Sequence, residues 1–527
     1  MESSTARVVT IDGLHDEILL MIFMAAMKLV DDVRHVGWET PSRLSHVCRR
    51  WRQNALAYPL LWTTLNWTPE QSLHIAHTVL QRSARALISV DLQMTVLETH
   101  SHGGSPPAEA VANMQTLVRT ILRDHVGRLA RLDIFIDNTF YDPDAFSPLC
   151  GDTTLSIPSL RAFSFRFGDD AIAAPDLYIA AGDLTYLFID NFSIRSWGRL
   201  VGPRTTEILI GGFSIKLSEI VQLLQSAPNI KDLSLGSGYA FTSIEDDLSP
   251  DALDNAREAS TTVGRHLESL TICDLTPFSL GLVNKVLSRD HISRISLTYG
   301  HEGGMFDQWL ECLSITSLKN VTSLAITGSY PIINLSDSKA NKARSCFLDT
   351  IAADDAIPAV VAVHPSMLDT LQSLSIELLN WGVFVDSLWQ RGSGLMPALR
   401  TLSITISQDD VNRGDRILRE VDGSILIFPS LELLTIIDRG YNTPPTLELV
   451  KHLLQTISPL VDTLEPDGNL VYRVNHDSLP AFTLPLRCQE LENDDLVDDD
   501  IRRVARFVRD ICISDADLRE REAAMVE

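Results

Sequence analysis

Two hydrophobic periods divide the chain. Near the N-terminus apolar residues recur three and four apart. Ile18, Leu19, Ile22 and Phe23 share one helical face, with Asp16 as a fitting N-cap. A polar loop follows from about Lys28 to Thr40, and Pro41 can open a second helix. That helix carries Leu44, Val47, Cys48, Trp51 and Leu56, with Arg43, Arg49, Arg50 and Arg52 interleaved. A third segment is Pro59-Leu60-Leu61-Trp62, running on to Leu65. Three helices this short cannot bury so many apolar side chains among themselves, so they need another surface. That surface is either a partner or the domain that follows.

Further along, a different pattern takes over: Φ-x-x-Φ-x-Φ, with Φ apolar. It stands at Leu129/Leu132/Ile134, Leu160/Phe163/Phe165, Leu184/Leu187/Ile189, Ile230/Leu233/Leu235, Leu267/Leu270/Ile272 and Ile292/Ile295/Leu297. It continues at Val321/Leu324/Ile326, Leu371/Leu374/Ile376, Leu399/Leu402/Ile404 and Leu431/Leu434/Ile436, with weaker copies at Leu87/Val90/Leu92 and Thr205/Ile208/Ile210. Several spacings lie between 21 and 25 residues, and the longest, from Val321 to Leu371, is 50 and implies an insertion. Stretches such as Leu-Ser-Leu and Leu-Thr-Ile predict short strands with an outward hydroxyl. Segments such as Leu217–Ser226 and Leu447–Ile457 predict helices between them.

One strand and one helix cannot bury their own apolar face, but stacked copies can. The expected architecture is therefore α/β, with parallel strands lining one wall and helices outside; a doubly wound sheet is the alternative. The residue between the last two apolar positions points away from the core. Down the array that column reads Asp133, Ser164, Phe188, Leu209, Ser234, Thr271, Ser296, Ala325, Ser375, Ser403 and Thr435. Small side chains leave room for a ligand, but binding energy concentrates on large side chains. The expected ligand anchors are Arg166, Phe188 and Asp190, together with Tyr239, Tyr330, Trp381 and Tyr441 in post-strand loops. Phe241 lies among the same loops.

The N-terminal string carries a resemblance. Leu14-His15-Asp16-Glu17-Ile18-Leu19, then Ile22-Phe23, then Leu44-Ser45-His46-Val47-Cys48-Arg49-Arg50-Trp51-Arg52, then Pro59-Leu60-Leu61-Trp62 resembles the F-box. His15 stands where the family has proline, and the loop at 28–41 is longer than usual. The resemblance spans residues 11–67 and implies a three-helix motif that binds a Skp-type adaptor and, through it, a cullin. Its implied adaptor-binding residues are Leu14, Glu17, Ile18, Leu19, Ile22, Phe23, Leu44, Val47, Cys48, Trp51, Leu61 and Trp62. Residues 68–485 resemble the irregular leucine-rich-repeat solenoids found behind many F-boxes, although the asparagine of strict repeats is mostly missing. Residues 486–527 form an acidic segment and a helix, read as a polar end cap or a docking tail.

Composition narrows the function. Lys and Arg total 44 against 69 Asp and Glu, a net charge of −25. Such a field repels phosphate backbones and anionic lipid, so nucleic-acid and membrane binding are not expected. The seven cysteines are scattered, which suggests reduced thiols in the cytoplasm or nucleus. The apolar run Ile18–Met27 follows acidic residues and is shorter than the roughly 20 residues a membrane span needs. No phosphate-binding loop, nucleophile elbow or His-Glu-x-x-His motif occurs. His301-Glu302 lacks a second histidine at metal spacing, and His74 with His77 and His100 with His102 lack further ligands, so neither metal nor cofactor is expected. The expected function is the substrate-recognition subunit of a Skp–cullin–F-box ubiquitin ligase, holding a protein substrate and doing no bond chemistry itself. The alternatives are an interaction scaffold without ubiquitylation, and a hydrolase or transferase whose dispersed site assembles only in space.

Overall fold

The computed structural model describes residues 14–30, 38–94, 108–136, 140–236, 243–245, 266–287, 291–299, 313, 317–328, 331–348, 353–389, 396–406, 433–438 and 471–476, with short breaks inside the longer ranges. The chain divides into two units, residues 1–267 with 282–288, and residues 268–281 with 289–527. Each is a mixed α/β unit built on a largely parallel sheet. The helix predicted at 447–457 and the acidic tail lie outside the described residues, as do the 301–304 and 100–102 histidine motifs.

The first unit opens with helices α1 (Asp16–Val30), α2 (Glu39–Ser45) and α3 (Arg49–Ala57), then a 3-10 turn at Pro59–Trp62. Its main strands are β1 (Thr64–Trp67), β2 (Ile88–Met94), β3 (Leu129–Ile136), β4 (Ala162–Phe167), β5 (Tyr186–Asp190), β6 (Glu207–Gly211) and β7 (Asp232–Leu235). They are hydrogen-bonded in chain order, and every neighbouring pair is parallel. Parallel neighbours require that the chain cross back from the end of each strand to the start of the next. Two helices on these returns show the expected 3-and-4 spacing. Ala108–Asp124 buries Met114, Leu117, Val118, Ile121 and Leu122, and Leu217–Ser226 buries Leu217, Ile220, Leu223 and Leu224.

A repeated backbone device fixes the register. The carbonyl just before one strand accepts two N–H groups from the next coil. Arg161 O accepts from Thr185 and Tyr186 (2.7 and 3.1 Å), Thr185 O from Thr206 and Glu207 (2.9 and 3.2 Å), and Thr206 O from Lys231 and Asp232 (2.8 and 3.0 Å). Inside, Phe165 stacks on Phe192 with centroids 3.9 Å apart, and Phe146 lies 5.6 Å from Phe165. Burying each ring contributes about 1.5–3 kcal/mol. The inward residues Leu187, Ile189, Leu233 and Leu235 are all buried, as their alternation predicts.

The second unit holds β8 (Ser269–Cys273), β9 (Arg294–Tyr299), β10 (Ser323–Thr327), β11 (Ile332–Asp337), β12 (Lys342–Leu348), β13 (Ser373–Glu377), β14 (Thr401–Ile406), β15 (Leu433–Asp438) and β16 (Val471–His476). Leu270, Ile272, Leu402 and Ile404 are buried here. The entry device recurs, with Thr322 O accepting from Gln372 and Ser373 and Gln372 O from Arg400 and Thr401.

The all-parallel expectation fails at one place. β12 pairs parallel with β9, but β12–β11 and β11–β10 are antiparallel, so β10 does not adjoin β9. The 50-residue gap thus holds two extra strands rather than a loop. The outward column accordingly runs Ser296, Ser345, Asn334, Ala325, with two residues inserted. The turn between β11 and β12 is closed by Asp337, whose carboxylate accepts the N–H groups of Lys339 (3.1 Å) and Ala340 (3.0 Å), and Asn341 takes φ +52°. Arg344 of β12 faces the core and donates to Ser293 O, Ala343 O and Ser317 Oγ.

At the end of β5 the chain turns sharply through Asn191 (φ +61°), whose Nδ2 donates to Phe167 O at 2.8 Å. Gly212 faces this corner with φ +73°, and a Cβ added there would meet Asn191 Oδ1 at 2.0 Å. Gly212→Ala should therefore destabilise the protein by about 1–3 kcal/mol. Gly182→Ala, where a Cβ meets nothing within 4 Å, should stay within about 0.5 kcal/mol. Paired urea-unfolding curves check this, and equal midpoints would contradict the packing described.

Candidate functional site

Helix α1 is apolar on two opposite faces. Leu19, Phe23 and Met27 turn inward and are buried. Ile18, Met21 and Ile22, spaced for the other face, are 45%, 70% and 39% exposed. Inside the module Phe23 meets Trp51 edge-on at 4.9 Å, and Trp62 donates Nε1–H to Ala55 O at 2.7 Å. The Arg82 guanidinium covers the Trp62 ring at 4.4 Å. Cys48 is the N-cap of α3, its Sγ accepting the Trp51 N–H at 3.4 Å. Arg50 ties α3 to α1 by donating to Asp16 Oδ1 and to Leu14 O, and Asn54 adds a bond to Asp16 at 3.0 Å. Arg50, then Asn54, hold the Asp16 carboxyl below its ordinary range.

The residues implied as adaptor-binding therefore divide. Leu19, Phe23, Leu61 and Trp62 are buried and hold the helices together. Leu14, Leu44, Cys48 and Trp51 are half-buried, while Glu17, Ile18, Ile22 and Val47 are exposed. Met21 and Leu60 join the exposed group without having been expected. Single exposed apolar residues are ordinary, but Ile18, Met21 and Ile22 recur on one face of α1. Met21 also lines an open recess of about 510 Å³, together with Glu17, Leu20, Met24, Ala25 and Tyr58.

A second surface is the face of the first unit's sheet opposite the core. The parallel register joins Asp91, Asp133, Ser164, Phe188, Leu209 and Ser234 in one row across β2 to β7. The next row toward the strand ends holds Gln93, Phe135, Arg166, Asp190 and Gly211. Arg166 leans over Phe135 at 4.9 Å and Phe188 at 5.5 Å and reaches Asp133 at 3.4 Å. Arg131 reaches the other Asp133 oxygen at 3.6 Å. Burial, and then the charge of Asp133, push the Asp91 carboxyl above its ordinary value. Burial, and then Asp232, do the same to Glu207.

Of the expected ligand anchors, Arg166, Phe188 and Asp190 thus come together. Trp381 belongs to the second unit. It sits 4% exposed in the helix Leu378–Trp389, which starts directly after β13, and packs 6.3 Å from Phe384. This places it in a buried helix position rather than in an open loop. Tyr239, Phe241, Tyr330 and Tyr441 lie outside the described residues. Asp91, Phe135 and Glu207 were not foreseen. Among the described residues no helix is long and apolar enough to cross a membrane. No protein-family model matches the chain, and no curated protein matches it.

The Asp91 shift gives a stability prediction. A carboxyl whose folded pKa is raised destabilises the fold above that pKa, and the penalty fades as pH falls toward the ordinary value. Asp91→Asn should raise the melting temperature at pH 7, and the gain should shrink on acidification toward pH 4. A gain of the same size at both pH values would contradict the shift.

Proposed function

We propose that residues 14–67 are an F-box-like docking module for a Skp-type adaptor. The chain would then serve as the substrate-recognition subunit of a Skp–cullin–F-box ubiquitin ligase. The observation that carries this reading is the uncovered apolar set Ile18, Met21, Ile22, Val47 and Leu60, presented by α1, the α2–α3 link and the Pro59 turn. It coincides with the ordered F-box-like string of the sequence. Beyond the helices, the stacked strands are read as an irregular leucine-rich-repeat solenoid whose open face holds a protein substrate. In this role the chain breaks no bond itself. It raises the effective concentration of a substrate lysine near the ubiquitin-carrying enzyme. The compartment that fits is the cytoplasm or nucleus, where such ligases work and thiols stay reduced.

The test is co-purification of the full chain with a Skp-type adaptor. Wild-type protein should retain the adaptor. Ile18→Asp with Val47→Asp changes only exposed positions, so it should leave the melting temperature nearly unchanged. It should weaken adaptor binding by about 2 kcal/mol or more, the scale of interface hot spots. Leu19→Ala with Trp51→Ala should also lose the adaptor, but through the module's own core, at about 2–5 kcal/mol per buried truncation. Failure of the wild type to retain the adaptor, or undiminished retention by the exposed double variant, would overturn the proposal.

A further inference from the structure

The first two returns of the chain, β1 to β2 and β2 to β3, are pinned together by one guanidinium. Arg128, in the turn before β3, is half-buried, and its bonds among the described residues go to neutral groups. Nη1 donates to Ser83 Oγ at 2.7 Å and to Ala86 O at 3.3 Å, and Nη2 donates to Leu80 O at 2.7 Å. These acceptors lie at the C-terminal end of the helix Leu73–Arg82 and in the turn that leads from it into β2. The turn passes through Ala84 at φ +48°, a left-handed conformation costly to any residue but glycine. Arg128 holds it there by bonding carbonyls that the helix end leaves open. On its other side the Arg128 turn is fixed by Ser159, whose Oγ donates to Gly127 O at 3.1 Å.

The remaining partner is His125, the residue that follows the helix Ala108–Asp124. Its Nδ1 lies 3.3 Å from Arg128 Nε and 3.2 Å from Nη2. A guanidinium has only donors, so Nδ1 must offer its lone pair, and the ring is neutral with its proton on Nε2. Protonation removes that acceptor and sets a second positive charge beside the first. Burial, and then the Arg128 charge, hold the His125 pKa below its ordinary value. Asp124, paired with Arg123 at 2.8 Å, works against them, and His77 of the helix Leu73–Arg82 works with them.

We propose that His125 is a proton-operated latch: neutral, it orients Arg128 against the end of the helix Leu73–Arg82, and protonated, it lets that end go. The helix end matters because its last residue, Arg82, covers the Trp62 ring at 4.4 Å, and Trp62 donates to Ala55 O of α3. The three-helix module is thus seated on the sheet through the element the latch holds. Acidification loosens that seat whatever the module binds, so the inference is independent of the adaptor reading. Linkage gives the sign. A histidine whose folded pKa is lowered leaves the structure fully stable above about pH 6.5 and weakens it as pH falls below.

Hydrogen–deuterium exchange of the full chain at pH 7.5 and 5.5, corrected for the intrinsic rate at each pH, reads the latch on the amides of residues 80–86. Wild type should lose about threefold or more of its protection there at pH 5.5, with the helix Leu217–Ser226 unchanged within about twofold. His125→Asn keeps an acceptor near the Nδ1 position but cannot titrate, so its protection should be equal at the two pH values. His77→Asn should still lose protection, as wild type does. If His125→Asn loses its cooperative melt, Arg128→Gln takes its place: protection should already be low at pH 7.5 and fall no further. Equal wild-type protection at both pH values would overturn the inference. So would a loss of the same size in Leu217–Ser226, a loss abolished by His77→Asn, or an undiminished loss in His125→Asn or Arg128→Gln, because the proton would then act elsewhere.

Discussion

A strand of about five residues with apolar side chains on one face cannot bury that face alone. The described sheet follows from meeting that need by stacking. Each coil lends the next a carbonyl at the strand entry, as Arg161, Thr185 and Thr206 do in turn. The shared carbonyl fixes the register, and the register fixes which outward side chains become neighbours. Asp91, Asp133, Ser164 and Phe188 come from coils far apart in sequence, yet they form one row. Inward, the same alternation gives an apolar core with stacked phenylalanines. The scaffold and the surface it presents are two sides of one constraint.

The N-terminal module meets a different limit. Its helices are too short to consume the apolar surface they carry. Leu19, Phe23 and Trp62 close a small core, while Ile18, Met21 and Val47 remain in solvent. Arg50, bonded to Asp16 and Leu14, holds α1 and α3 in place without covering that face. The sheet's open face departs from stability in another way, through carboxylates set opposite one another.

Much of this was legible in the sequence. The Φ-x-x-Φ-x-Φ period located the inward residues of the described strands from β3 to β14, except the two inserted ones, but did not mark β16, and the outward column from Asp133 to Ser234 emerged as a true row. The inserted strand β12 was hidden because Lys342-Ala343-Arg344-Ser345-Cys346 puts a charged residue on the inward side, where Arg344 stands between Ile295 and Leu335 and finds backbone acceptors. Periodicity could not divide Leu19 from Ile18, since α1 is apolar on both faces and only packing decides which turns inward. Trp381 was misread because the helix begins directly at the strand end, without the loop that its position suggested. The opposed carboxylates needed the register, and the 41 residues between Asp91 and Asp133 conceal it.

The central claim is that one chain offers two separate surfaces, an apolar helical face for an adaptor and a polar sheet face for a ligand. Hydrogen–deuterium exchange on the full chain, with and without a Skp-type adaptor, tests it most directly. The account predicts added protection in α1 and across the α2–α3 link and the Pro59 turn, with β3 to β6 unchanged. Protection on the strands instead, or no change in the helices at saturating adaptor, would contradict it.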